Sequence, residues 1–210
     1  MVDLKIISKS VIEGEKEKII ELVEQAIKEG VPADGVLSEG LIAGMNVVGE
    51  QMRKHEMFIP EVLLSATTMQ AGLDFLKPLL GTAGAGLGPK VVLGTVKGDI
   101  HEIGKNLVGM MLKGAGFQVV DLGANNAAEE FVRAAKEEEA QIVAMSALLT
   151  TTMREMGKTI EALKAAGVRE NIKVIVGGAP VSPEYATQIG ADGYARDAAR
   201  AVDKVRELVG

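Results

Sequence analysis

The stretch KVVLGTVKGDIHEIGKNLVG, Lys90–Gly109, decides the fold. It opens on a short apolar run, Lys90–Val96, of the kind that suits a parallel strand buried on both faces. A polar loop flanked by glycine follows, Gly98–Gly104, and then a helix-period segment, Lys105–Lys113. Outward from this unit the alternation repeats. Apolar runs at Gln118–Leu122, Ile142–Met145, Lys173–Val176 and, weakly, Gly193–Ala195 alternate with helix-period segments near Ala128–Glu138, Thr152–Ala165, Pro183–Gln188 and Ala198–Leu208. Five βα repeats predict a flavodoxin-like (Rossmann-type), doubly wound, five-stranded parallel sheet with helices on both faces. In the order 2-1-3-4-5, ligands bind beyond the carboxyl ends of the strands, near the switch point between strands 1 and 3.

Upstream of this block the patterns are helical only. Ile12, Ile19, Ile20, Val23 and Ile27 fall at helical spacing between Ser10 and Gly30, and Ser10 with Glu13 fits a capping box. Pro32 starts a second helix with Val36, Leu37, Leu41, Met45, Val48 and Met52, and Pro60 a third with Val62, Leu63, Met69, Leu73 and Leu76, ended by Pro78 and Gly81. With a short helix near Val2–Ser8 this makes a four-helix bundle cap. The segment GTAGAGLGPK has four glycines and no apolar period, which marks a linker. The expected organisation is a helical cap domain at 1–80, a linker at 81–90 and an α/β domain at 91–210.

Composition narrows the function. Without cysteine, no disulfide, zinc–thiolate site, iron–sulfur cluster or thiol nucleophile is available. His55 and His101 are the only histidines, so an imidazole-bound metal takes its other ligands from carboxylates, water or a cofactor. A net charge of −6 and 3% aromatic residues argue against nucleic acid as a partner. No apolar stretch approaches the roughly 18 residues of a membrane span. The N-terminus lacks the features of a signal peptide, so the expected location is cytoplasmic.

Chemistry concentrates on two loops at the switch point. The first is Gly98-Asp99-Ile100-His101-Glu102-Ile103-Gly104, and the second begins Ser146-Ala147-Leu148-Leu149-Thr150. Asp99, His101 and Ser146 are expected to converge. A carboxylate behind a histidine fixes its tautomer and raises its basicity, as in metal-bound imidazoles, and a hydroxyl behind the carboxylate extends the relay. A Ser-His-Asp hydrolase uses the same residue types, but Ser146 lacks the G-x-S-x-G context. Gly98…Gly104-Lys105 looks like a P-loop, but the spacing is off by one and Asn106 stands where Ser or Thr would hold magnesium. No G-x-G-x-x-G follows strand 1. From these residues alone, a capping Asp99 with a polar loop His101 stays equally open.

Asp99-Ile100-His101-Glu102-Ile103-Gly104 resembles the D-x-H-x-x-G signature of cobalamin-binding domains, Ser146-Ala147-Leu148 their S-x-L, and Gly177-Gly178 their GG. The run Gly94–Gly109 resembles methionine synthase and methyltransferase corrinoid proteins. Gly40–Glu50 and Met57–Val62 resemble the helical cap of the same proteins. The resemblance covers nearly the whole chain. It implies a cobalamin or related corrinoid with His101 as lower axial ligand to cobalt in place of the cofactor's own base, Asp99 as its hydrogen-bond partner and Ser146 behind.

Ile100, Glu102, Ile103, Gly98 and Gly104 would surround the metal site. Gly94, Ser146, Leu148, Thr150, Gly177, Gly178 and Ala179 would line the channel for the nucleotide tail, closed by the segment from Tyr194 to Ala198. The alternative for Gly94 is close helix–sheet packing. Met52 and Ile59 would contact the upper, methyl-bearing face. Many relatives carry an aromatic residue at the Met52 position, and bundle core is the other reading for both.

With no barrel domain in the chain, the expectation is a free-standing methyl carrier, methylated in its resting state. A substrate-specific methyltransferase would load it from methanol, a methylamine or a methoxylated aromatic. A second methyltransferase would pass the methyl to a thiol or tetrahydrofolate, and a reductive activation protein would be a third partner. The alternatives are a B12-binding sensor or regulator, a carbon-skeleton mutase subunit, and a flavodoxin-like signalling domain without corrinoid.

Overall fold

The computed structural model describes residues 3–80 and 88–210. The chain divides into two compact units, one of residues up to Gly88 together with Lys113–Gly116, the other of Pro89–Leu112 and Phe117–Gly210. Residues 81–87 of the expected linker lie outside the described residues, and Gly88–Lys90 belong to the first strand.

The first unit is helical. Helix α1 (Leu4–Glu13) is capped by Asp3, whose side chain accepts from the Lys5 N–H, and α2 (Lys16–Lys28) follows. One long helix with a Ser10 cap was expected here, but Ser10 is buried inside α1. The break comes at Gly14, whose φ of 72° lets its N–H reach back to the Ser10 and Val11 carbonyls. Helix α3 (Ala33–Gly35) runs through a π-helical stretch, Val36–Ile42, into α4 (Ala43–Arg53). Pro32 stands just before it as the N-cap. Helix α5 (Ile59–Leu76) has Pro60 in its first turn and ends in a 3-10 turn, Lys77–Leu79. Ile7, Val11, Ile19, Val23, Leu41, Met69 and Leu73 are buried in this unit, so the apolar stripes face one another as their spacing requires.

The second unit carries the sheet. Its strands are β1 (Gly88–Thr95), β2 (Phe117–Asp121), β3 (Ile142–Ser146), β4 (Lys173–Gly177) and β5 (Gly193–Ala195), in the order β2-β1-β3-β4-β5. The helices are α6 (Ile103–Gly114), α7 (Ala128–Glu137), α8 (Thr150–Ala165), α9 (Pro183–Gln188) and α10 (Ala198–Val209). This is the doubly wound five-stranded sheet expected. Parallel pairing sets Thr95 opposite Ser146, Ser146 opposite Gly177, and Gly177 opposite Ala195. The row marks the carboxyl edge of the sheet, where the loops that carry polar side chains emerge.

Candidate functional site

The first loop is built by a tight turn. The Asp99 N–H returns to the Val96 carbonyl at 3.0 Å, and Gly98 sits at φ 82° in the turn's third position. That conformation needs glycine. The turn is clamped from below. The Thr95 hydroxyl donates to the Asp99 carbonyl, the Asn125 N–H reaches both Thr95 Oγ1 and the Asp99 carbonyl at 2.9 Å, and the Gly98 N–H donates to Asn125 Oδ1 at 2.7 Å. Thr95 and Asp99 are fully buried.

From this turn the Asp99 side chain reaches two ways. Oδ1 lies 2.8 Å from His101 Nδ1 and accepts the His101 N–H at 3.1 Å. Oδ2 accepts the Leu148 N–H at 2.7 Å, the Leu149 N–H at 3.3 Å and the Thr152 hydroxyl at 2.7 Å. The carboxylate therefore sits at the N-terminus of α8, where backbone dipoles favour a negative charge. Burial alone would push the Asp99 carboxyl up. The hydrogen bonds from Thr152, Leu148 and His101 outweigh it and hold the group well below the usual carboxylate range. With Asp99 ionised, the proton between the two residues belongs on His101 Nδ1.

The hydroxyl behind Asp99 is thus Thr152 and not Ser146, which corrects the expected relay. Ser146 is the last residue of β3, with its backbone committed to the sheet, its carbonyl accepting from the Val96 N–H. The carboxylate lies past the strand ends, at the first turn of α8, which Ser146 precedes and Thr152 occupies. Sequence reasoning had a signal for Thr152. The buried face of α8 runs Thr152, Met156, Thr159, Ile160 and Leu163. Extending the apolar stripe one turn back lands on Thr152, whereas Thr150 and Thr151 are exposed.

His101 Nε2 has no hydrogen-bond partner among the described residues, and the side chain is 43% exposed. Around it the rim is apolar and uncovered: Ile100 is 73% exposed, Ile103 87%, Leu148 45% and Leu149 41%. A pinned imidazole with its outer nitrogen open therefore offers a nitrogen donor beside a rim of exposed aliphatic side chains.

Two family models match the chain, both described as a B12 binding domain, one over residues 89–203 and the other over 4–77. The chain belongs to the B12-binding corrinoid proteins. It is 43% identical over 202 residues to dimethylamine corrinoid protein 1 of Methanosarcina acetivorans, covering 95% of this chain and 94% of that one. A cobalamin-binding protein from Desulfitobacterium hafniense superposes over 100% of both chains with a TM-score of 0.79 and 33% identity. A chain of the methanol:cobalamin methyltransferase complex MtaBC from Methanosarcina barkeri does so with a TM-score of 0.86 and 31% identity, over 97% of this chain and 78% of that one.

The cofactor of this corrinoid protein is accordingly a corrinoid, and the donor set fits one. Among the described residues no group of three or more His, Asp or Glu could hold a metal ion by itself, so a metal held here would bring ligands of its own. Gly104 leaves open space where a side chain would stand. No helix among the described residues is long and apolar enough to cross a membrane.

Of the other expected site residues, Ser146 and Gly177 stand side by side at the carboxyl edge of the sheet, with Tyr194 on the neighbouring strand. Gly94 is buried in β1, and a Cβ there would meet Asn126 Nδ2 and Phe131 Cζ at 3.0 Å, so helix–sheet packing rather than a channel uses its missing side chain. Gly177 and Gly178 likewise admit protein atoms. A Cβ on Gly177 would lie 2.6 Å from the Ala195 carbonyl oxygen, and one on Gly178, at φ 122°, would overlap the Ala147 carbonyl. Ala198 is buried in the first turn of α10. Thr150 and Ala179 are exposed. Tyr194 lines an open cleft of about 420 Å³ with Arg196, Arg200, Asp203, Lys204 and Glu207, away from the His101 loop in sequence and lining. In the helical unit Ile59 is 50% exposed and Met52 half-buried, so neither is plain core.

Proposed function

We propose that this protein is a methyl carrier. In this reading His101 Nε2 would hold the corrinoid cobalt, and the loaded chain would carry a methyl group between two methyltransferases. The observation that carries it is the His101 ring, fixed through Nδ1 by an ionised Asp99 and open at Nε2 on an apolar rim. Bound there, a cobalt corrinoid supplies the centre that takes up and gives away the methyl group. The protein's part is to hold the imidazole. Asp99 keeps the proton on Nδ1, which leaves the Nε2 lone pair outward, and Thr152 with the Leu148 and Leu149 N–H groups keeps Asp99 charged. Ile100, Ile103, Leu148 and Gly104 would take the macrocycle's lower face. Met52 and Ile59 of the helical unit would serve the upper one.

The relatives' names support methylamines and methanol as the first donors to test. The loading partner would be a substrate-specific methyltransferase, the receiving one a thiol or folate methyltransferase, and a reductive activation protein would restore oxidised cofactor.

The test is reconstitution with hydroxocobalamin followed by gel filtration and a visible spectrum. Wild-type protein should elute coloured, with an imidazole-ligated spectrum. His101→Ala should lose that spectrum while keeping part of the corrinoid. A colourless wild type, or an unchanged His101→Ala spectrum, would overturn the assignment. Methyl uptake from dimethylamine, trimethylamine or methanol with each cognate methyltransferase then identifies the donor.

A further inference from the structure

Lys105 is a lysine where lysine is rarely found. Its side chain is 1% exposed, among the largest fully buried in the molecule. Nζ donates to both oxygens of Asp121 at 2.5 and 2.6 Å and lies 3.4 Å from Glu102 Oε1. The acids are only partly covered, Asp121 at 37% exposure and Glu102 at 42%, so a buried cation is held by two carboxylates on the rim. A buried ion pair gives little net stability compared with a well-packed apolar residue of the same shape. Its effect on geometry is more direct.

Lys105 stands in the first turn of α6 and Asp121 at the end of β2. Asp121 Oδ1 also takes the Gly123 N–H at 2.9 Å, and the Gly123 carbonyl accepts from Asn126 Nδ2 and the Thr95 N–H. Two residues beyond Gly123 in that loop, Asn125 clamps the Gly98–Asp99 turn. The loop bearing His101 is therefore tethered at both ends, by Asp99 on one side and Lys105 on the other. Glu102, next to His101, joins the second tether.

We propose that Lys105, through Asp121 and Glu102, is a positioning residue for His101 that sets how readily its Nε2 reaches the corrinoid metal. This rests on His101 being that ligand. Axial ligation demands a placement within a fraction of an ångström, so loosening one tether moves the balance between ligated and unligated imidazole.

The experiment compares wild type, Lys105→Met, Asp121→Asn, the double variant and Lys105→Arg, each reconstituted with hydroxocobalamin. Circular dichroism and melting report the fold, absorbance the corrinoid retained. The visible spectrum and the nitrogen splitting in the electron paramagnetic resonance of the Co(II) form report the His-on fraction. Lys105→Met and Asp121→Asn should retain corrinoid but lower the His-on to His-off ratio about tenfold, roughly 1.4 kcal/mol. Lys105→Arg should recover part of the ratio, and the double variant should be no worse than Lys105→Met. A wild-type ratio in folded Lys105→Met overturns the proposal, and if that variant does not fold, a wild-type ratio in Asp121→Asn does so. A wild type without nitrogen splitting would instead remove His101 as the ligand, and this inference with it.

Discussion

Thr152 and Ser146 carry the same hydroxyl chemistry, yet only Thr152 serves Asp99. The pair can be separated. Thr152→Val keeps the shape and deletes a hydrogen bond to a buried charge, worth about 1.5–3 kcal/mol. Apoprotein stability in urea should fall by that order, with a lower His-on fraction after reconstitution, while Thr152→Ser and Ser146→Ala should stay close to wild type. If Ser146→Ala matched Thr152→Val, the relay would run through the strand end after all. The sign of the Asp99 effect follows from its depressed pKa. The folded group binds its proton less readily than the unfolded one, whose pKa is about 3.9, so its contribution is complete above that value and lost as pH falls below it. The apoprotein stability gap between wild type and Asp99→Asn should therefore narrow as pH falls below about 4. A gap independent of pH would mean that the charge is not what the network stabilises. The Asp99–His101 contact was legible because both residues lie on one loop. The third member was not, because it comes from another element and three consecutive threonines compete for the role.

At the scale of elements, strands were easier to read than helix breaks. A parallel strand buried on both faces leaves an unbroken apolar run, and four of the five were plain. β5, only Gly193–Ala195, was weak because the edge of the sheet buries little. The α1–α2 break was lost because Ile19 and Val23 continue the apolar count begun by Ile12, while Gly14 was the one residue that signalled a stop. The glycines of the α/β unit divide by what fills their missing side chains, and this predicts two opposite outcomes. Gly178→Ala forces an alanine to φ 122° against a backbone oxygen, and should destabilise the apoprotein by about 2–4 kcal/mol in urea unfolding. Gly104→Ala adds a methyl in open space on a helix, and should leave the apoprotein unchanged or more stable by up to about 1 kcal/mol. It should nevertheless retain less corrinoid on gel filtration, because that space is where the ligand would lie. Full corrinoid retention would mean that the cofactor does not approach Gly104.

At the scale of the molecule, the division into two units has a consequence for the site. Asp99, His101, Leu148, Thr152, Lys105 and Asp121 all belong to the unit that begins at Pro89. That unit has its own core, in which Val92, Phe131, Val143, Met156, Ile160 and Val174 are all fully buried. Among the described residues, the donors to the Asp99 carboxylate all lie in this same unit. If ligation depends only on how His101 is held, residues 89–210 expressed alone should fold and give the same imidazole-ligated spectrum with hydroxocobalamin, sensitive to Thr152→Val as in the full chain. If the helical unit affects retention and not ligation, the fragment should exchange bound corrinoid faster while keeping its His-on fraction. Exchange against free cyanocobalamin separates the two quantities. A fragment that folds and binds corrinoid but is His-off, beside a full chain that is His-on, would mean that the helical unit helps to set the axial ligand.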